Sequence, residues 1–198
     1  MAPIKSAFEI AMERAEGIET NPEEELKTEL IQSGKRLAGS YLFDIDTTFE
    51  SVQNRYKALN NNDLPLIRLG LRETIIANIT LPQTELYVED LGKLKKLTSL
   101  LSDNSEQADD LFVQIDNLYQ QYLQTRDQLE QRVLEQYRPQ LEQKQRMLSQ
   151  QSGRPVTLRP EQDKDFVEML QQTYKRLDDQ FQEALDQLKD SISSLAKG

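Results

Sequence analysis

From about Ser105 to Gln150, large apolar residues return every three or four positions, and after one Gly/Pro break the pattern resumes from about Pro160 to Ala196. In the first run Leu111, Ile115, Leu118 and Tyr122 step by four, three and four, and Thr125 and Leu129 continue the line. Residues spaced this way share one stripe of an α-helix, whereas a strand would alternate them at a period of two. The second run carries Phe166, Leu170, Thr173, Leu177, Phe181, Ala184, Leu188 and Leu195, with Tyr174, Leu185 and Ile192 alongside. A helix with a narrow apolar stripe must cover it against a neighbour, and a short connection makes that neighbour antiparallel. The two runs therefore predict a long antiparallel coiled-coil helical hairpin with a tip loop at about 151–160. At 1.5 Å per residue its arms would measure roughly 65 Å and roughly 50 Å. Within the outgoing arm Leu129, Val133, Tyr137 and Leu141 step by four each time, which relaxes a left-handed supercoil. Pro139 falls inside the pattern and is expected to kink or divide the helix.

Shorter amphipathic segments precede the hairpin. Ile4, Phe8, Ala11, Ala15 and Ile18 form one apolar face, ending near Gly17. Asn21-Pro22-Glu23-Glu24-Glu25 is a helix start, with an Asn cap, a first-turn proline and carboxylates at the positive end of the dipole. That helix is expected to fade near Gly39. Asp46-Thr47-Thr48 opens the next, with Asp46 as its cap, and Asn60-Asn61-Asn62-Asp63 is a loop by composition. A helix stopping at Leu81-Pro82 and another over about Thr84–Leu101 complete the set. The fold class is thus all-α: a small N-terminal bundle over residues 1–102 and the hairpin over 103–198.

Composition removes most catalysis. With no Cys and no His, the chain has no thiolate nucleophile, no zinc–thiolate site and no imidazole base. A metal would have to be a hard ion on oxygen ligands. Carboxylate pairs such as Asp109-Asp110 and Asp178-Asp179 read as solvated helix surface, and Gly34-Lys35-Arg36 lacks the upstream glycine of a phosphate loop. Asp44-Ile45-Asp46-Thr47-Thr48 mimics the Asp-x-Asp-x-Thr motif of haloacid-dehalogenase-type phosphatases. No strand–helix alternation surrounds it, so a hard-metal phosphatase using Asp44 and Asp46 is the least favoured alternative. We expect no enzyme, no cofactor and no bound metal. No continuous apolar stretch reaches the length of a membrane span, and the opening residues lack the character of a signal peptide, which makes cytoplasm the expected compartment.

Charge distribution singles out the tip. Between Arg138 and Pro160 stand Arg138, Lys144, Arg146, Arg154 and Arg159 against Glu142 alone, a local charge of +4 in a chain of −10. Prolines order this loop in advance, and arginine suits bidentate contact with carboxylate or phosphate. These five residues are the expected partner-binding set, in a structural or interaction protein that meets an acidic partner. The bland alternative pairs the arginines with Glu161, Asp163 or Asp165. RNA or ribosome contact through the same tip is a further alternative, weakened by the absence of interleaved aromatics. Self-association, as a homodimer burying leftover apolar stripe, is also expected.

The opening Ile4-Lys5-Ser6-Ala7 with Glu9, Ala11, Glu13 and Arg14, the Gln121–Leu123 stretch, the Tyr137-Arg138-Pro139 step and Pro160-Glu161 ahead of Phe166 resemble a family of small helical bacterial proteins of spirochaete type. The resemblance spans nearly the whole chain and implies no activity, cofactor or catalytic residue.

Overall fold

The computed structural model describes residues 21–102 and 105–195. The expected helix over Ile4–Ile18, and with it the Ile4-Lys5-Ser6-Ala7 opening, lies outside the described residues. Six α-helices and no strand occur among the described residues: α1 (Pro22–Phe43), α2 (Phe49–Lys57), α3 (Leu64–Asn78), α4 (Tyr87–Thr98), α5 (Ser105–Ser152) and α6 (Lys164–Leu195). A single 3-10 turn, Pro160–Gln162, precedes α6. The protein is all-α, and no helix among the described residues is long and apolar enough to cross a membrane. Contacts group the chain into two compact units, 1–74 and 75–198, dividing within α3. The expected partition at 102/103 stands as a separate proposal about folding units.

In the first unit α1 starts as its sequence dictates. The Asn21 side chain accepts from the Glu23 amide at 3.2 Å, Pro22 occupies the first turn, and three glutamates follow. The helix does not fade at Gly39 but runs on to Phe43. Leu37, Ala38 and Tyr41 are buried on its inner face, and that burial outweighs the modest cost of one glycine in mid-helix. Thr48, not Asp46, caps α2, accepting from the Ser51 amide at 3.2 Å. Tyr41 meets Phe49 with ring centroids 5.6 Å apart. Gly34 and Gly70 mark where α1 and α3 cross. A Cβ on Gly34 would overlap the Ile67 carbonyl, and one on Gly70 would overlap that of Ile31.

In the second unit α5 and α6 pack along their lengths. Tyr122 meets Asp178 and Phe181, Glu130 meets Tyr174, and Tyr137 meets Phe166. One index climbs as the other falls, so the two helices run antiparallel. Ile115, Tyr122, Val133, Tyr137 and Leu141 are buried from α5, and Phe166, Leu177, Leu185 and Ile192 from α6. Ala108, Phe112 and Tyr119 are buried as well, widening the stripe at the start of α5. There α4 packs on it, through Tyr87 on Tyr119 and an ion pair between Lys95 and Asp109 at 3.1 Å.

Pro139 does not divide α5, which is continuous over 48 residues. Proline leaves the carbonyl four residues earlier without its helical donor. Here both Pro139 and Glu135 are exposed, so water can serve that carbonyl. The return helix begins at Lys164 rather than Pro160, after the 3-10 turn.

Candidate functional site

The distal end of α5 and the segment that leaves it form the candidate site. Gly153 supplies the left-handed residue at the end of α5, with φ of 65°, a conformation open to glycine without steric penalty. The chain then doubles back along the helix it has just left. The Val156 amide donates to Ser149 Oγ at 2.9 Å, and Gln145 Nε2 donates to the Leu158 carbonyl at 2.8 Å. Leu158 packs on the cluster of Val133, Tyr137, Leu141 and Phe166. Residues 153–163 therefore cover the part of α5 that overhangs the start of α6.

Lys144 anchors this return. Its Nζ donates to both carboxylate oxygens of Asp163 at 2.8 Å, to Asp165 Oδ2 at 2.6 Å and to the Tyr137 hydroxyl at 2.7 Å. It also stands 5.4 Å from the centroid of the Tyr137 ring. Asp163 is buried, at 6% exposure, and the lysine beside it holds its carboxyl below the usual range. Lys144 is raised in turn, chiefly by Asp163 and then by Asp165. The ammonium thus spends its donors inside the chain, where a buried carboxylate requires a partner.

Arg138, Arg146, Arg154 and Arg159 are all exposed, and none forms an ion pair among the described residues. Of the acids expected to neutralise them, Asp163 and Asp165 take Lys144 instead. Arg154 sits in a turn where its carbonyl accepts from Ser152 Oγ at 3.1 Å. The Arg159 amide donates to Gln162 Oε1 at 3.3 Å. Met147 and Leu148, 48% and 40% exposed, add apolar surface near the same end. Sequence reading passed over Asp163, Gln145 and Ser149 as loop anchors. The available signal was an acid placed one residue before a helix start, opposite a lysine on the inner face of the outgoing helix.

Asp44 and Asp46 are exposed in the α1–α2 connection. Asp44 follows a helix, not a strand; it accepts from the Asp46 amide at 3.1 Å and the Thr47 hydroxyl at 2.8 Å, and those bonds lower its pKa. Among the described residues no group of three or more Asp or Glu is arranged to hold a metal ion.

A family model described as a family of unknown function (DUF6657) matches residues 53–194. No curated protein and no solved structure matches the chain.

Proposed function

We propose, for a chain that belongs to the family of unknown function DUF6657 and inherits no activity from it, a non-enzymatic role as a cytoplasmic interaction protein. Its α5–α6 hairpin presents a basic end to an acidic protein partner. The observation that carries this reading is the anchored return segment. It displays Arg154 and Arg159 on a backbone already tied down by Ser149, Gln145 and Lys144, which lowers the ordering entropy lost on binding. Arg138 and Arg146 extend the same charge along α5, and all four guanidinium groups are exposed. Lys144 supports the site from within rather than meeting the partner.

An acidic protein surface is favoured over RNA. The tip offers no exposed aromatic ring for a base to stack on, because Tyr137 is 2% exposed and covered by Phe166 and Lys144. A second copy of the chain is a further candidate partner, through the apolar surface of Met147 and Leu148.

The test compares the tagged chain with its Arg154→Glu/Arg159→Glu variant in affinity purification from the native host. The expected result is a partner with an acidic surface, held by the native chain, released as salt rises, and absent from the variant. A partner retained equally by both sinks the tip reading. Salt-sensitive RNA retention lost in Arg154→Glu would transfer the function to RNA.

A further inference from the structure

α6 covers one side of α5 and α4 a second, while a third apolar side is left half-buried. Leu118 and Asp109, nine residues or about two and a half turns apart, point to opposite sides of α5. Asp109 lies on the side that α4 takes through Lys95. On the Leu118 side a groove of about 470 Å³ runs between α5 and α6. Half-buried Leu118, Ala184 and Leu188 line it, with the exposed amides of Gln114, Gln121 and Gln187. Eleven residues are about three turns and eighteen are five, so the same line continues along α5 to half-buried Leu129 and on to Met147, 48% exposed.

The two ends of the hairpin are opposite in charge. From Ser105 to Gln121, α5 carries four acidic residues and no basic one, and from Asp178 to Leu195, α6 carries five acids against a single lysine. The bond between Tyr122 and Asp178 places both stretches at the same end. At the other end stand the four exposed arginines of the tip.

Two copies laid side by side and antiparallel, related by a two-fold axis across the middle of α5, bring each tip onto the acidic end of the other and close the pair. A parallel pair would stack like charge on like, which opposes association. A foreign acidic surface answers the tip alone; a second copy answers the tip, the acidic end and the apolar line at once. Length suffices as well. The 48 residues of α5 extend over roughly 72 Å, so a contact strip about 10 Å wide buries roughly 700 Å² per copy. Stable complexes bury about 800 Å² per partner.

Building on the tip as an acid-binding element, we infer that its acidic partner is a second copy of this chain. The two copies pair antiparallel along the Leu118–Leu188 groove, with Arg154 and Arg159 of each over the acidic end of the other.

The test begins with sedimentation of the full chain, where a dimer that weakens as salt rises is expected. Arg154→Glu/Arg159→Glu should weaken self-association about a hundredfold, and so should Asp110→Lys/Glu183→Lys, at exposed positions of the acidic end. An equal mixture of these two variants should regain a heterodimer, because each then offers the charge that the other lacks; that recovery excludes misfolding as the cause of the loss. The chain has no cysteine, so one introduced cysteine carries a unique spin label. Labels at Gln150→Cys, near the tip, should lie more than about 50 Å apart in the dimer, and labels at Gln128→Cys, near the axis, within about 30 Å. Tip labels close together overturn the inference, as does a dimer indifferent to both charge reversals or a mixture that stays monomeric. A native monomer at every concentration that still captures an acidic host protein through Arg154 and Arg159 overturns self-pairing and leaves the tip reading standing.

Discussion

At the scale of single residues, the molecule depends on a few polar ties placed where a charge or a phenol leaves water. Asp163 is the clearest, a buried carboxylate whose pKa is lowered first by Lys144. A carboxyl with a depressed folded-state pKa stabilises the fold above its unfolded value, near 3.8, and loses that contribution as pH falls toward the folded value. The native chain should therefore lose thermal stability on acidification below about pH 4 more steeply than Asp163→Asn. The variant should already be less stable at neutral pH. Thermal melts across the acid range check this, and parallel curves would show that the Lys144–Asp163 contact contributes nothing. The tyrosines act at the opposite limit. Burial pushes Tyr122 and Tyr174 up to about 12, each helped by the carboxylate it bonds, Asp178 and Glu130. A neutral phenol held in this way stabilises the fold fully below its ordinary value of 10 and is lost as pH rises through about 12. Ultraviolet titration of phenolate should show a late-ionising group of tyrosines, and unfolding should accompany it. Tyr122→Phe should reduce the alkaline sensitivity and cost about 0.5–1.5 kcal/mol at neutral pH.

At the scale of elements, what could be read from the chain divides along one physical line: periodicity reports which face of a helix is buried, not what covers it. The steps through Ile115, Tyr122, Val133, Tyr137 and Leu141 are buried as their spacing demands. Tyr119, off that strict line, is buried too because α4 adds a second neighbour through Tyr87. Helix ends were legible where a local bond makes them, as at Asn21. They were misread where tertiary burial carries a helix through a weak residue, as at Gly39 and Pro139. At the site, the arginines could be read from composition, but the capture of Lys144 by Asp163 depends on a return path that spacing alone does not encode. Gly34 shows the same limit. In sequence it resembled a fragment of a phosphate loop; in the fold its missing side chain lets α1 and α3 meet backbone to backbone. Gly34→Ala should thus destabilise by about 3 kcal/mol, as overpacking against a rigid carbonyl does, despite the better helix propensity of alanine. Urea unfolding measures it. Gly92→Ala, where an added Cβ meets nothing within 4 Å, serves as the control and should be neutral or slightly stabilising.

At the scale of the whole molecule, charge is separated along the chain: five basic residues and one acid between Arg138 and Pro160, within a total of −10. Were those arginines held for stability, each would be paired; Arg138, Arg146, Arg154 and Arg159 make no ion pair among the described residues. Reversing Arg154 and Arg159 to glutamate takes the total charge to −14 and cancels the local excess. Because the loop is tied by Ser149, Gln145 and Lys144 rather than by these side chains, the unfolding free energy should move by no more than about 0.5 kcal/mol. The same change should abolish salt-dependent binding, since charges at a recognition surface govern encounter with the partner. Gln145→Ala makes the opposite alteration: it keeps every arginine and removes the bond to the Leu158 carbonyl. That variant should keep the salt dependence of binding but weaken its affinity, as a looser loop pays more to become ordered. Denaturant melts and binding isotherms on the two variants separate charge from anchoring. A large loss of stability in the charge reversal would reassign the arginines to holding the loop.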